Sequence, residues 1–443
     1  MVDLTATSEF TFTLLGDTWA WRQRLVEEFA IGSTWHAQVS SAYQVEFPDD
    51  MLPSSCDGAD AVRVLLPMAT RPKRPLLGLD IRNSAGWGCH LLLRVSIAAI
   101  QAEYLARLRD GLELSDRFSA GVPDALLEAI SVFTPDVYKE FDPDGKWSPD
   151  RAANYLSAGL GFQVTAEETV PLCAMQAQAA VKLCTALQEP EDPLSSSEQI
   201  LLAIPRVEPR PTSVGEVTRV VQEYVASVAE ATKASDRGFL VALAEYGRRW
   251  EVIVETVVPL REPTRITIVE DRPLGLQKSV TRQLVSLGDA RSAHAQFRLT
   301  DPAVEFSPIG KGSSIVDIFG NPVGVPYLEG VRDTPEALAL YTADPDRPYY
   351  LDVRLTLRPT LEVRLVLWAL LTLVVLAVAV AARARGPELN TLLGLVTVPT
   401  TFAVALLLVR EETSLAARLQ RGPRLLLLGA VAVLWAVVFA RVI

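Results

Sequence analysis

Lysine is scarce in this chain of 443 residues, seven against thirty-five arginines, and histidine is scarcer still, with three. His36, His90 and His294 stand far apart and form no HExxH pattern, so the sequence gives zinc no support. The four cysteines, Cys56, Cys89, Cys173 and Cys184, include no CxxC pair, which argues against a redox dithiol or a zinc ribbon. They need no disulfide in a reducing compartment. The start, MVDLTATSEFTFTLLGDTW, has neither a basic n-region nor a long apolar h-region, so no secretory signal is expected.

Charge is missing most tellingly from three long runs, Leu365 to Ala382, Leu389 to Val409 and Leu425 to Ala440. Each is near the length needed to cross about 30 Å of hydrocarbon, the last if Arg441 snorkels to the far interface. Residues 361–443 are therefore expected to form a three-helix transmembrane domain. They hold eight arginines and four glutamates, so of the net charge of −11 the first 360 residues carry 34 − 49 = −15. An acidic soluble region repels phosphate backbones and anionic headgroups, which argues against nucleic acid and against a domain lying flat on the membrane. Small molecules and proteins remain as partners, beside the lipid bilayer itself.

Orientation follows from arginine. Arg354, Arg358 and Arg364 precede the first run, and Arg410, Arg418, Arg421 and Arg424 lie between the second and third. The opposite side has Arg383, Arg385 and Arg441. The positive-inside bias thus predicts a multi-pass protein of the plasma membrane, with its amino-terminal domain cytoplasmic and its carboxyl terminus outside.

The soluble region reads as α+β in three parts. Residues 1–115 are β-rich, with strand-like alternation in EFTFTLLG, TWHAQVSSAYQVEF, AVRVLLPM and PLLGLDIR. The turn formers NSAG lead from the last of these to WGCHLLL, which predicts a hairpin. From Arg94 to Leu108 the period lengthens, so a helix should follow. Residues 116–248 are helical, with Val214, Val217, Val221, Val225 and Val228 spaced as a core-facing stripe. EPEDPLSSSEQ and PRVEPRPTS separate the helices as exposed loops. Residues 249–360 contain six short strand runs, WEVIVETVVPL, RITIVED, SAHAQFRLTD, SIVDIFG, EALALYTAD and RPYYLDVRLTLRP, which suggest a juxtamembrane β-sandwich. No flexible linker separates it from the first apolar run.

The order SAHAQFRLTDPAVEFSPI, then ALALYTADPDRPYYLDVRLTLRP, then paired apolar runs resembles a group of uncharacterised actinobacterial membrane proteins with a juxtamembrane β-domain and carboxyl-terminal helices. The resemblance covers roughly residues 285–410 and implies architecture alone. It carries no catalytic or binding residue over to this chain.

One segment suggests chemistry. GWGC at residues 86–89, ahead of a helix, resembles the nucleophile segment of papain-like proteases of the autophagy-protease type. That resemblance would make Cys89 the nucleophile, His294 its base and Asn321 the orienting group. Those enzymes carry an Asp-Pro-His motif, which is absent here. Cys89 also falls in the strand phase of the expected hairpin, with HLLLRV between it and the helix, where a half-buried thiol is inert. DPDGKWSPD offers Asp142, Asp144 and Asp150 around Gly145 but lacks the closing glutamate of a calcium loop, and reads as a surface turn. GKGSS at 310–314 lacks the first glycine of a phosphate loop and reads as a loop between strands.

No catalytic, metal or cofactor-binding residue is therefore expected. The sequence points to a membrane-anchored cytoplasmic binding or scaffold protein. The alternative is a sensor-effector whose soluble domain gates an oligomeric membrane assembly, and a cysteine peptidase using Cys89 comes third.

Overall fold

In the computed structural model the chain is described over residues 4–5, 8–72, 77–111, 124–132, 148–187, 200–233, 237–286, 290–317, 330–343, 350–383, 394, 396–398, 400–401 and 415–442. It is a mixed α and β protein that divides into two compact units. The first gathers Met1–Gln23, Tyr43–Leu76 and Ile81–Ile266, and the second Arg24–Ala42, Leu77–Asp80 and Thr267–Ile443. Neither unit is a single continuous stretch of chain. Strands distant in the chain pair with one another, which no local pattern announces.

The first unit is built on a sheet in the order β1 (Leu4–Thr5), β4 (Ala61–Pro72), β7 (Arg249–Pro259), β6 (His90–Leu91). β4 and β7 are long and antiparallel, and Val62, Val64, Leu66, Val252, Val254 and Val258 are buried along them. EFTFTLLG is not a strand. It forms helix α1 (Ser8–Gly16), followed by α2 (Thr18–Trp21). Phe10 packs on Phe47 and Phe12 stacks on Tyr104, so these tertiary contacts override the short alternation that favoured β.

The predicted helix is present as α3 (Arg94–Asp110), and a helical cluster follows: α4 (Asp124–Val132), α5 (Pro149–Leu160), α6 (Ala166–Leu187), α7 (Ile200–Ala203), α8 (Val214–Lys233) and α9 (Arg237–Arg248). The valine stripe of α8 is realised, with Val217, Val221 and Val228 buried and Val214 and Val225 packed at its edge. Burying such a side chain is worth about 1.5–3 kcal/mol. Two capping boxes start these helices. Thr165 and Glu168 exchange bonds at α6, and Ser213 accepts the Glu216 N–H at α8 while Glu216 reaches back to the Thr212 N–H. Those backbone bonds hold the carboxyls of Glu168 and Glu216 below their usual range.

The second unit carries a seven-stranded sheet, in the order β13 (Gly330–Asp333), β14 (Ala337–Ala343), β10 (Ser292–Leu299), β2 (Arg22–Ile31), β3 (His36–Val45), β8 (Thr264–Pro273), β5 (Leu77–Asn83). β2 runs parallel to β10, and Phe29 lies opposite Phe297 with the rings stacked at 4.4 Å. A four-stranded sheet pairs β11 (Val304–Phe306), β12 (Ser314–Asp317) and β9 (Val280–Ser286) with β15 (Tyr350–Pro359). All six strand runs expected after residue 249 form strands, but they pair partly outside their own group. The expected hairpin between PLLGLDIR and WGCHLLL is not made, since β5 pairs with β8 and β6 with β7.

Three described helices are long and apolar enough to cross a membrane: α6, α10 (Leu361–Arg383) and Arg421–Ala440 of α12 (Arg421–Val442). α6 is the least apolar, at a mean hydropathy of 1.2 against 2.8 and 2.1. It buries Leu172, Ala179 and Leu183 in the helical cluster of the first unit. α10 and α12 pack together through Val374, Ala377, Ala381, Leu427, Leu434 and Val438, and Val396 joins them. Most of the run Leu389 to Val409 lies outside the described residues. Val396 to Val398, Thr400 and Thr401 are helical, and the Thr401 hydroxyl donates to the Thr397 carbonyl at 2.8 Å. The short helix α11 (Leu415–Leu419) precedes α12.

Candidate functional site: the junction between sheet and apolar helices

Cys89 sits just before β6 rather than at a helix start. α3 begins at Arg94, and its N-cap is Leu93. The thiol donates to the Thr256 hydroxyl at 3.4 Å, while Thr256 donates to the Gly88 carbonyl and accepts from Asn83. Burial pushes the thiol pKa up, against the opposing effect of the Thr256 bond, so it stays protonated near neutral pH. Cys89 belongs to the first unit and His294 to the second, and Asn321 lies outside the described residues.

His294 stacks on Tyr341, directly across the β10–β14 ladder, at 4.2 Å between centroids. Burial, Arg24 and Arg298 hold it below the usual histidine range against the opposing pull of Glu28. Cys89→Ala is expected to leave the unfolding midpoint within a few degrees of wild type, at a cost of about 1 kcal/mol. Labelling by an active-site thiol probe at neutral pH, lost on His294→Ala, would restore the nucleophile.

Asp142, Asp144 and Gly145 lie outside the described residues, and Asp150 is in the first turn of α5. GKGSS is a turn between β11 and β12, with Gly310 at φ +78° and no helix after it. Among the described residues no three His, Cys, Asp or Glu side chains are grouped to hold a metal.

Two buried charged clusters were invisible in the sequence. In the first unit Arg22 pairs with Glu251 at 3.2 Å, with its guanidinium over the rings of Trp21 and Tyr43. In the second unit Glu27 of β2, Ser41 of β3, and Glu270 and Arg272 of β8 occupy the buried face of three neighbouring strands. Arg272 contacts Glu270 at 2.6 Å and Glu27 at 3.2 Å, and Ser41 donates to Glu27 at 2.9 Å. The alternation Leu25, Glu27, Phe29, Ile31 would have marked β2 as a half-buried strand had Glu27 been read as an inward residue.

The most organised feature lies in TDPAVEF, residues 300–306, which leave the end of β10. Asp301, Ala303 and Glu305 each hold a connection to one of the long apolar helices α10 and α12. The Asp301 carboxylate accepts from Ala416 N at 3.2 Å and so caps α11. The Ala303 carbonyl accepts from Thr360 N at 3.0 Å, at the single residue between β15 and α10. Glu305 meets Arg358 at 2.8 Å and Arg364, in the first turn of α10, at 3.6 Å.

Opposite this segment Arg418 of α11 donates to the carbonyls of Leu276 at 2.8 Å and Thr34 at 3.5 Å. A five-residue helix is not stable alone. α11 persists because Leu415, Ala416 and Gln420 are buried and its two ends are held. The arrangement is mechanical: one short segment after β10 contacts the starts of both connections to the apolar helices α10 and α12.

The chain matches no protein-family profile, no curated protein sequence and no solved structure.

Proposed function

We propose that this is an integral membrane protein whose soluble region lies in the cytoplasm, binds a protein or small-molecule partner, and passes its bound state to the membrane helices. The observation that carries this reading is the double grip of residues 301–305 on α10 and α11. An anchor needs one covalent connection. Here a shift of β10 moves the start of α10 and the start of α12 together.

The same grip supports the topology. α10, at 23 residues, spans about 35 Å and ends remote from its start, whereas α11 returns to the strands from which α10 left. A return crossing between Arg383 and Leu415 fits this, and the uncharged run Leu389 to Val409 is long enough to make it. A seven-stranded and a four-stranded sheet in one unit fit the sandwich-like juxtamembrane part, and arginine bias favours the cytoplasm for it.

A second reading, a membrane-anchored scaffold, is favoured by the three uncharged runs themselves. They contain no Asp, Glu, Lys, Arg or His through which ions or protons would be coupled. In the coupled reading the helices would instead respond by repacking, within one chain or an oligomer.

Topology is tested by labelling. Gly386→Cys should react with a membrane-impermeant maleimide on intact cells, whereas Gly422→Cys, exposed in the first turn of α12, should react after permeabilisation alone. The reverse pattern would put the soluble region outside and overturn the proposal. Gln420 would be a poor probe, because it is 5% exposed.

A further inference from the structure

The turn between β2 and β3 carries Trp35, whose side chain is uncovered although its backbone is fixed on every side. The residue is 68% exposed, the highest value for an aromatic among the described residues. The Ser33 hydroxyl accepts from Trp35 N at 3.0 Å and from His36 N at 3.2 Å. The Trp35 carbonyl accepts from Leu274 N at 2.9 Å. The preceding Thr34 is 4% exposed, and its carbonyl takes the Arg418 guanidinium. A rigid backbone presenting a bare indole is an arrangement for binding, since ordering the chain costs nothing further on contact.

Position identifies what it meets. Arg418 ties this turn to the stretch that enters α12, where Arg421 and Arg424 precede Leu425 and Leu426, exposed at 69% and 58%. Leu425 lies one turn, about 6 Å, beyond Arg421. The same Arg418 grips the neighbouring turn through Leu276, and Lys278 of that turn is exposed. Trp35 and Lys278 thus lie one and two residues along the chain from the two carbonyls that Arg418 holds, and Arg421 and Arg424 lie three and six residues beyond Arg418; an indole with cations near the start of an apolar helix is the composition that favours lipid headgroups, with Trp at the interface and cations toward anionic phosphates.

We infer that the β2–β3 turn inserts Trp35 into the headgroup layer of the bilayer crossed by α10 and α12, as a third attachment of the second unit. The inference rests on the spanning reading of those two helices.

The test uses full-length protein in vesicles of equimolar phosphatidylcholine and phosphatidylglycerol. An environment-sensitive fluorophore is placed at Trp35→Cys or at Val375→Cys, exposed in the middle of α10, with the native cysteines replaced by alanine. The Val375 label should be quenched by an acyl-chain nitroxide lipid. The position 35 label should be quenched several-fold more by a headgroup nitroxide lipid than by the acyl-chain one, with blue-shifted emission.

Failure at Val375 would overturn the spanning reading and this proposal with it. Quenching at Val375, with the position 35 label reached by aqueous iodide and by neither lipid, would overturn this proposal alone. Shielding of position 35 from iodide and from both lipids would do the same, by showing that protein covers it. In the native-cysteine chain, Trp35→Leu should also reduce the share of tryptophan emission quenched by the headgroup nitroxide, and no reduction would refute the inference.

Discussion

Arg272→Leu is expected to lower the unfolding midpoint of the detergent-solubilised protein by on the order of 10 °C. The guanidinium bridges Glu270 and Glu27 on the buried face of the seven-stranded sheet, where the two carboxylates are 2% and 4% exposed. Leucine strips both of the cation they share and leaves negative charge in a medium that solvates it poorly. Breaking a buried pair in this way costs about 3–5 kcal/mol.

The loss extends to packing, because the guanidinium also lies 5.4 Å from the centre of the Phe29 ring, which stacks on Phe297 of β10. Replacing the whole cluster separates charge from shape. Glu27→Leu, Glu270→Leu and Arg272→Met together should regain most of the lost stability, since an apolar cluster of similar volume avoids the desolvation cost. A triple variant as unstable as Arg272→Leu would mean that overpacking beneath Phe29, rather than unpaired charge, governs the site. Midpoints from circular dichroism or intrinsic fluorescence read all three proteins.

That cluster also marks where the sequence stops being readable. The first and third uncharged runs after residue 360 and the valine stripe of α8 were legible because their information is local: one composition, one period. β2 was not, because RQRLVEEFAI carries four charged side chains, and two of them, Arg22 and Glu27, are buried against partners more than two hundred residues away. The alternation in EFTFTLLG was too short to outweigh the contacts that Phe10 and Phe12 make in α1. WGCHLLL was correctly taken out of the helix, yet its partner strand is β7 and not the neighbour across the turn, because pairing is decided by the finished sheet.

The junction was half legible. A direct passage from β15 into α10 follows from the missing linker, whereas the roles of Asp301 and Glu305 depend on α11 folding back to β10's end. An aspartate beside a proline in a loop between strands looks like turn chemistry and nothing more.

Cutting one connection should not release the membrane helices, and cutting both should. A Gly/Ser insert of about ten residues after Pro359 adds roughly 17 Å of slack between β15 and α10. In the protein with that insert alone, α11 still holds through Arg418 and Asp301, so the start of α12 stays tied to the sheet. Arg418→Ala removes hydrogen bonds from a charged donor, worth about 1.5–3 kcal/mol, and Asp301→Ala removes a cap worth about 1 kcal/mol. Their sum exceeds what a five-residue helix supplies for itself.

A nitroxide at Leu426, exposed in the second turn of α12, should keep a restricted line shape with the insert alone and become mobile once Arg418→Ala and Asp301→Ala are added. A nitroxide at Trp368, exposed on α10, should respond to the insert first. Under the coupled reading the membrane response to the soluble region's partner weakens in each partial variant and vanishes in the full combination, with the sheet still folded. Under the scaffold reading the partner stays bound in every variant and no membrane property changes. Full mobility at Leu426 with the insert alone would show that the grip of residues 301–305 on α11 bears no load, and would leave the covalent passage at Thr360 as the sole mechanical link.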